Sequence, residues 1–202
     1  MNYFLDSNVI LGYIFTLDNC FDSVSVFLIE NQNYFYSDHV DEEVKKVFQE
    51  KNNQYQLFLL KVCRCINQIK DNDLINEFHL HEQINSFKSI GELKVFEMHE
   101  VLDKIWKELD FNENHDSFEV KLKFNGFQND FYSSNCYRKN YIFNKMTQIP
   151  NHIKKDKQIL DMIKKENLRH DFLYDEDENI LFDVNEYCNK NKHLNLKFVS
   201  VD

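Results

Sequence analysis

Small and turn-forming residues are scarce in this chain: its 202 residues include no alanine, one proline and three glycines. Because glycine and proline supply most tight turns and helix breaks, their scarcity argues against a flexible linker-like protein and predicts long helices. Hydrophobic residues make up 43% of the chain and aromatic residues 15%, which supports a substantial core and excludes disorder. The length fits one domain, with room for a large insertion.

Long apolar runs are also missing. No segment is long and apolar enough to span a bilayer, and no charged segment followed by an apolar one opens the chain. The five cysteines are odd in number and lack a paired spacing, which argues against a disulfide framework. We therefore expect a cytoplasmic protein that makes no contact with a membrane.

Positive charge is in deficit, since 34 acidic and 24 basic residues give a net charge of -10. Such a surface does not attract nucleic acid over long range, so a nucleic-acid role requires a local basic patch, a bound cation or a basic partner. The densest basic run comprises Lys154, Lys155, Lys157, Lys164, Lys165 and Arg169. This run is compatible either with a solvated helix face or with a patch that attracts RNA phosphates.

Hydrophobic periodicity predicts alternating strands and helices. The predicted strands are 2–5, 33–37 and 196–202. The predicted helices are 8–16, 21–30, 38–50, 54–70, 73–87, 92–109, 156–166 and 176–190. Strands interspersed with helices favour an α/β fold, here a three-layer α/β/α arrangement around a mainly parallel sheet.

The pattern changes between about residues 112 and 150. "SFEVKLKF" alternates apolar and polar residues, and "NGF" after it predicts a turn at Asn125 and Gly126. We therefore predict a single domain over residues 1–202 that carries a helical and partly β insertion at about 90–155.

Acidic residues recur at strand ends and at helix starts. Asp6 ends the first strand, Asp202 ends the last, and Glu42 and Glu43 lie early in the helix after the second. "DEDENIL", residues 175–181, adds acids at the start of the last helix. Since the carboxyl ends of parallel strands meet at one edge of a sheet, these oxygens form a candidate site for Mg²⁺ or Mn²⁺.

At these residues the sequence resembles the PIN-domain ribonucleases. "FLDSNVIL" is similar to the family's first motif, in which an Asp is followed by Ser or Thr, a small polar residue and an apolar helix. "SDHVDEEVKKVF" is similar to the second, a strand-end Ser and then a Glu directly followed by an aliphatic residue. That pattern favours Glu43, which precedes Val44, over Glu42.

The third and fourth motifs follow in family order. "DENILFDV" resembles the third, with Asp177 followed by Ile180 and Leu181, and "FVSVD" resembles the closing strand, with Ser200 and Asp202. The segment between the second and third motifs is much longer than in a minimal member of the family. The family also continues beyond the position of Asp202, so we expect the C-terminal end to be truncated.

The resemblance implies a metal-dependent endoribonuclease acting on single-stranded RNA, with Mg²⁺ or Mn²⁺ as its cofactor. The implied catalytic and metal-binding residues are Asp6, Glu43, Asp177 and Asp202. Residues implied to orient these carboxylates are Ser7, Asn8 and Ser200. RNA is the implied partner, and a protein inhibitor or a second copy of the chain is a further candidate. Both a toxin-like nuclease and an RNA-processing enzyme fit this description.

Each acidic residue also has a purely structural interpretation. Asp6 is a good helix cap, and acids at the start of the last helix favour its dipole. Asp183 is expected to face solvent. The alternative function is a degenerate PIN-like module that binds RNA or a protein without cleavage, and a DNA nuclease is a third. Convergence of the four carboxylates on one cation would separate the enzyme from the binding module.

Three further patterns also have structural interpretations, and for the first two the structural interpretation is the stronger one. "HEVLD" places His99 and Asp103 four residues apart, as in a zinc-binding helix, but the second His of that motif is missing. It and "HLH", residues 79–81, are interpreted as solvated helix faces. A set of aromatic and basic residues could stack on RNA bases or pack a small core, namely Tyr132, Tyr137, Tyr141, Phe143, Arg138 and Lys139.

Overall fold

The computed structural model describes residues 1–71, 73–91, 93–111, 115–149, 161–162, 165, 175–192 and 194–201, and of residues 175–177 it describes the backbone. In chain order the elements are β1 (Asn2–Leu5), α1 (Ser7–Ile14), α2 (Phe21–Glu30), β2 (Tyr34–Ser37), α3 (Asp38–Gln68), β3 (Leu74–Ile75), α4 (Glu77–Ile84), α5 (Val95–Glu108), β4 (His115–Asp116), α6 (Ser117–Lys145), β5 (Met146–Ile149), α7 (Asp175–Lys190) and β6 (Leu196–Val199). The chain divides into two compact units: the first comprises Met1–Val47 and Arg138–Asp202, the second Phe48–Tyr137.

The first unit is built on a four-stranded sheet with the order β5-β2-β1-β6, and every neighbouring pair in it is parallel. Phe4 pairs with Phe35 on one side and with Phe198 on the other. Phe4 and Leu5 are both fully buried, as expected for a central strand. The predicted α/β class with a parallel sheet is therefore confirmed at this level.

Strand β5 is a finding that the sequence did not predict. It pairs in parallel with β2 at the edge of the sheet. Met146 and Ile149 at its ends are buried, whereas Thr147 and Gln148 between them are exposed. Two exposed residues between two buried ones do not alternate, so the period-two signal of a half-buried strand is missing.

The predicted break between helices 38–50 and 54–70 is wrong, because α3 is one continuous helix. No proline or glycine interrupts residues 50–54. The polar segment holds a buried Asn52, whose Oδ1 accepts a hydrogen bond from Asn135 Nδ2 at 3.2 Å within the second unit. Because Asn52 is buried and hydrogen-bonded, this polar residue does not interrupt the buried face of the helix.

The segment predicted as a helix over residues 73–87 is shorter and begins later. Leu74 and Ile75 form a two-residue strand that pairs antiparallel with β4. Asn76 then caps α4, because its side chain accepts a hydrogen bond from the backbone N–H of His79 at 3.1 Å. The cap fixes the start of α4 at Glu77.

The strand predicted at "SFEVKLKF" and the turn predicted at Asn125 and Gly126 are wrong, since both lie inside α6, a 29-residue helix. Two strands, β4 and β5, do lie between residues 112 and 150. The alternating apolar residues divide between two faces. Val120 and Phe124, four residues apart, are fully buried, whereas 62% of Phe118 and 65% of Leu122 are exposed. Only one apolar pair therefore faces the core, with the spacing of a helix rather than of a strand.

The two compact units divide the chain at residues 47/48 and 137/138. The proposed insertion at about 90–155 within a single domain stays a prediction. The helix predicted at 156–166 lies mostly outside the described residues. Within the described ranges, none of the helices combines the length and the apolar character that a membrane span requires.

Candidate functional site

Asp6 lies at the point where β1 ends and α1 begins. Its backbone is extended, with φ -72° and ψ 160°, and its N–H donates to the carbonyl of Val199 at 3.0 Å. Its Oδ1 accepts a hydrogen bond from the backbone N–H of Ser7 at 2.8 Å, so the side chain caps α1. Only 7% of Asp6 is exposed. The structural interpretation of Asp6 as a helix cap is therefore correct, and it leaves a further role open.

Two of the three polar residues predicted to orient carboxylates contact Asp6. The hydroxyl of Ser200 donates to Asp6 Oδ2 at 2.8 Å, and the hydroxyl of Ser7 lies 3.4 Å from Oδ1. Ser200 follows β6, which is parallel to β1, so the sheet brings residues 194 positions apart to one edge. Asn8 is exposed.

Glu43 lies in a cleft of the first unit, of about 260 Å³. The residues that line the cleft are His39, Glu42, Glu43, Lys46, Asn179 and Ile180. Because β2 ends at Ser37 and α3 begins at the next residue, these acids lie in the first two turns of α3. Glu43 is half-buried and its Oε2 atom is buried, whereas Glu42 is exposed.

Asp183 departs from its prediction, because it is fully buried rather than facing solvent. Its Oδ2 lies 3.7 Å from Nε2 of His39. The reason is helical spacing: Asp183 comes one turn after Ile180, which is also buried, so the two share a face of α7. Glu178, one of the acids of "DEDENIL", is buried as well. Both acids lie on α7, the helix that lines the cleft, and the burial of Asp183 is what sequence reasoning missed.

Two of the four predicted metal ligands fall where the structure gives no side chain. The backbone of Asp177 lies in the first turn of α7, two residues before Asn179 in the cleft. Asp202 lies outside the described residues. The four-carboxylate arrangement therefore stays a prediction. Among the described residues, Asp6 is brought together with Ser7 and Ser200.

A different group of ligand atoms lies in the second unit. Within the described ranges, one set of three or more His, Cys, Asp or Glu side chains has ligand atoms that are all within 4.8 Å of one another, and it consists of Glu77, His81 and Asp103. His81 Nε2 lies 2.7 Å from Asp103 Oδ1. Burial raises the pKa of the Glu77 carboxyl, as does the neighbouring Asp103 carboxylate, while His81 acts in the opposite direction. Asp6 and Glu43 do not belong to this group.

Some of the aromatic and basic residues of α6 contact other parts of their unit, and others are exposed. In the first unit, Phe143 packs edge-on against Tyr36 with ring centroids 5.0 Å apart. Arg138 Nε donates to the carbonyl of Ile14 at 2.8 Å. In the second unit, 70% of Tyr137 is exposed. Packing therefore accounts for part of the set, and stacking on RNA stays a prediction. Of the basic run at 154–169, only Lys165 falls among the described residues.

Comparisons of this chain with protein-family models, with curated proteins and with solved structures found no match.

Proposed function

We propose that this chain is a cytoplasmic Mg²⁺- or Mn²⁺-dependent endoribonuclease of PIN type that cleaves single-stranded RNA, with the sheet of the first unit as the middle of an α/β/α arrangement. The observation that carries the proposal is the environment of Asp6. Its buried carboxylate lies between the ends of two adjacent parallel strands and accepts a hydroxyl hydrogen bond from Ser200. Ligands of α/β proteins bind at this edge of the sheet.

The donors around Asp6 leave room for a cation. A carboxylate has about four lone-pair sites, and the described donors are the Ser7 N–H, the Ser7 hydroxyl and the Ser200 hydroxyl. Carboxylate oxygens are the ligands that Mg²⁺ and Mn²⁺ prefer. Glu43 would supply a second carboxylate from the cleft, and Asp177 and Asp202 would complete the ligand set.

When bound, such a cation lowers the pKa of a coordinated water and offsets the charge that develops on a phosphodiester. The protein's own residues have two further tasks in this scheme. Ser7 and Ser200 hold the Asp6 carboxylate in one orientation, which favours a fixed ligand position. Lys46, an exposed residue that lines the cleft, supplies positive charge for a phosphate group in an otherwise acidic protein.

The test is cleavage of end-labelled single-stranded RNA in Mn²⁺, with wild type, wild type plus EDTA, Asp6→Asn and Asp22→Asn in parallel. Asp22 is an exposed acid in the first turn of α2 and receives the same substitution as a matched control. We expect EDTA and Asp6→Asn to abolish cleavage and Asp22→Asn to retain it. Wild-type cleavage that survives Asp6→Asn would contradict the assignment of Asp6. A DNA strand of the same sequence tests the DNA-nuclease alternative.

A second candidate function is binding without cleavage, by a degenerate PIN-like module. It is favoured by Lys46, which lines the cleft together with Glu42 and Glu43. A cationic side chain beside carboxylates offsets the charge that would otherwise attract a metal ion. For this candidate, fluorescence anisotropy would show saturable RNA binding by the wild type, and the cleavage assay would show intact RNA.

A further inference from the structure

Two neighbouring helices of the second unit each carry a pair of polar residues one turn apart. Glu77 and His81 lie on α4, and His99 and Asp103 lie on α5. Side chains four residues apart lie on the same face of a helix. The two helices pack against each other. Their buried apolar residues include Leu80, Ile84, Met98 and Leu102.

The distances within this group are close to those of a metal site. The ligand atoms of Glu77, His81 and Asp103 are within 4.8 Å of one another, and His81 Nε2 lies 2.7 Å from Asp103 Oδ1. Two ligands on one tetrahedral Zn²⁺ are separated by about 3.3 Å, given bonds of about 2.0–2.1 Å. A change of up to about 1.5 Å in these separations would give the ligand spacing of a tetrahedral site.

A hydrogen-bond chain sets the tautomer of His81. His99 Nε2 lies 3.1 Å from Asn85 Oδ1, an acceptor, so this nitrogen of His99 carries the proton. With Nε2 as the donor, Nδ1 of His99 serves as the acceptor for His81 Nδ1, which lies 2.6 Å away. The two nitrogen atoms meet edge to edge, in the planes of the rings. The ring planes differ by 18°, and the centroid separation of 4.9 Å matches the 2.6 Å distance between the nitrogens plus one ring radius on each side.

With the His81 proton on Nδ1, the lone pair of Nε2 points towards the carboxylate of Asp103. Two acceptors 2.7 Å apart repel each other unless a proton or a cation lies between them. A histidine that binds metal through one nitrogen usually donates its other N–H to an acceptor, and His99 is such an acceptor for His81. The chain from Asn85 through His99 therefore prepares Nε2 of His81 as a ligand.

We propose that Glu77, His81 and Asp103 form a site for a first-row transition-metal cation, with Zn²⁺ preferred over Mg²⁺. The imidazole nitrogen provides the preference, because Mg²⁺ favours oxygen ligands alone. The Asp103 side chain is 57% exposed, so the site opens to solvent and water can complete the coordination. The site joins α4 to α5 and is independent of the nuclease proposed for the first unit.

The test is Zn²⁺ affinity, measured by competition with a chromophoric chelator on the full chain carrying Asp6→Asn, so that the Asp6 carboxylate does not contribute. Three variants are compared in that background: His81→Ala, Asp103→Asn and the control His79→Ala. His79 is an exposed histidine on the same helix as His81. Asp103→Asn is nearly isosteric at an exposed position, so it tests the site even where His81→Ala disturbs the fold.

We expect one Zn²⁺ per chain, with an affinity that falls more than 10-fold in both ligand variants and is unchanged in His79→Ala. A separate His99→Ala variant should weaken binding by about 10- to 100-fold, as expected for a residue that orients a ligand. Co²⁺ in place of Zn²⁺ should give visible absorption bands that Asp103→Asn alters. Equal Zn²⁺ affinity with and without Asp103→Asn in the Asp6→Asn background, displacement by equimolar Mg²⁺, or no binding would each overturn the proposal.

Discussion

Asp6 has an observed role as a helix cap and a proposed role as a metal ligand, and two substitutions separate them. Asparagine caps helices about as well as aspartate. In Asp6→Asn the amide oxygen can accept from the Ser7 N–H, and the amide nitrogen can donate to the Ser200 hydroxyl, so both contacts persist with one donor reversed. We expect the free energy of unfolding to fall by less than about 1 kcal/mol, while cleavage is lost because the negative charge is gone.

Asp6→Ala removes both contacts. Loss of the cap costs about 1 kcal/mol, and loss of the hydrogen bond from Ser200 to a charged acceptor costs about 1.5 kcal/mol or more. Because Ser200 is exposed, its hydroxyl can turn to water after the change. The expected loss is therefore roughly 2–3 kcal/mol, about 2 kcal/mol more than for Asp6→Asn.

Urea denaturation followed by circular dichroism measures both values, in EDTA so that bound metal does not contribute. Asp22→Ala, at an exposed position, serves as the control and should change stability by less than about 0.5 kcal/mol. If Asp6→Asn destabilises the protein as much as Asp6→Ala does, the contacts depend on the carboxylate charge and not on the cap geometry. That result would contradict the expectation that asparagine preserves both hydrogen bonds.

Two further predictions concern the second unit. Phe124→Ala should lower the free energy of unfolding by about 3–5 kcal/mol, because Phe124 is fully buried. Phe118→Ala should change it by less than about 0.5 kcal/mol, because 62% of Phe118 is exposed. Equal losses in urea denaturation would favour the strand interpretation of this segment. Burial raises the pKa of the Cys63 thiol to about 11, so its thiolate is scarce at pH 8 and increases only as the pH approaches that value. Mass-spectrometric mapping of iodoacetamide labelling in the native protein should therefore find Cys63 unmodified at pH 8 and labelled after unfolding, and rapid native labelling at pH 8 would contradict its burial.

Two elements lie where the sequence predicts them: β1 is found at Asn2–Leu5 and α2 at Phe21–Glu30. In β1 the apolar pattern reports burial directly, because Phe4 and Leu5 are fully buried. In α2 the bounds agree although Val24 is its one buried residue and 83% of Ile29 is exposed. The polar break after Leu5 was also informative, because the capping residue Asp6 terminates the strand and begins the helix.

The strand prediction for "SFEVKLKF" failed because two of its four apolar residues are exposed. In α6 the exposed Phe118 and Leu122 create the appearance of alternation with Val120 and Phe124, and this favoured a strand. The opposite error occurred at Asp183, a buried acid that was assigned to solvent because charged residues are mostly exposed. Both errors arise because residue type is only a statistical guide to burial.

The histidine group shows a different limit, since its parts lie on separate helices. The spacing of His99 and Asp103 is that of a zinc-binding helix, but the missing second histidine favours a solvated helix face. In the structure His81 of α4 lies close to both side chains. Glu77 and His81 also have the spacing of four residues that marks one helix face, which was the available signal. Only the packing of α4 against α5 brings the pairs together.

The presence of two candidate metal sites changes how a chelator experiment is interpreted. EDTA would remove a cation from Asp6 in the first unit and from His81 in the second, so a loss of activity in EDTA alone would not identify the site responsible. The two sites differ in ligand chemistry, because one is proposed to consist of oxygen ligands and the other includes an imidazole nitrogen. Asp6→Asn should therefore abolish Mn²⁺-dependent cleavage while retaining Zn²⁺ binding, and His81→Ala should do the reverse. Loss of both properties in either variant would show that the two units are coupled, and it would require a single metal-dependent function in place of two independent ones.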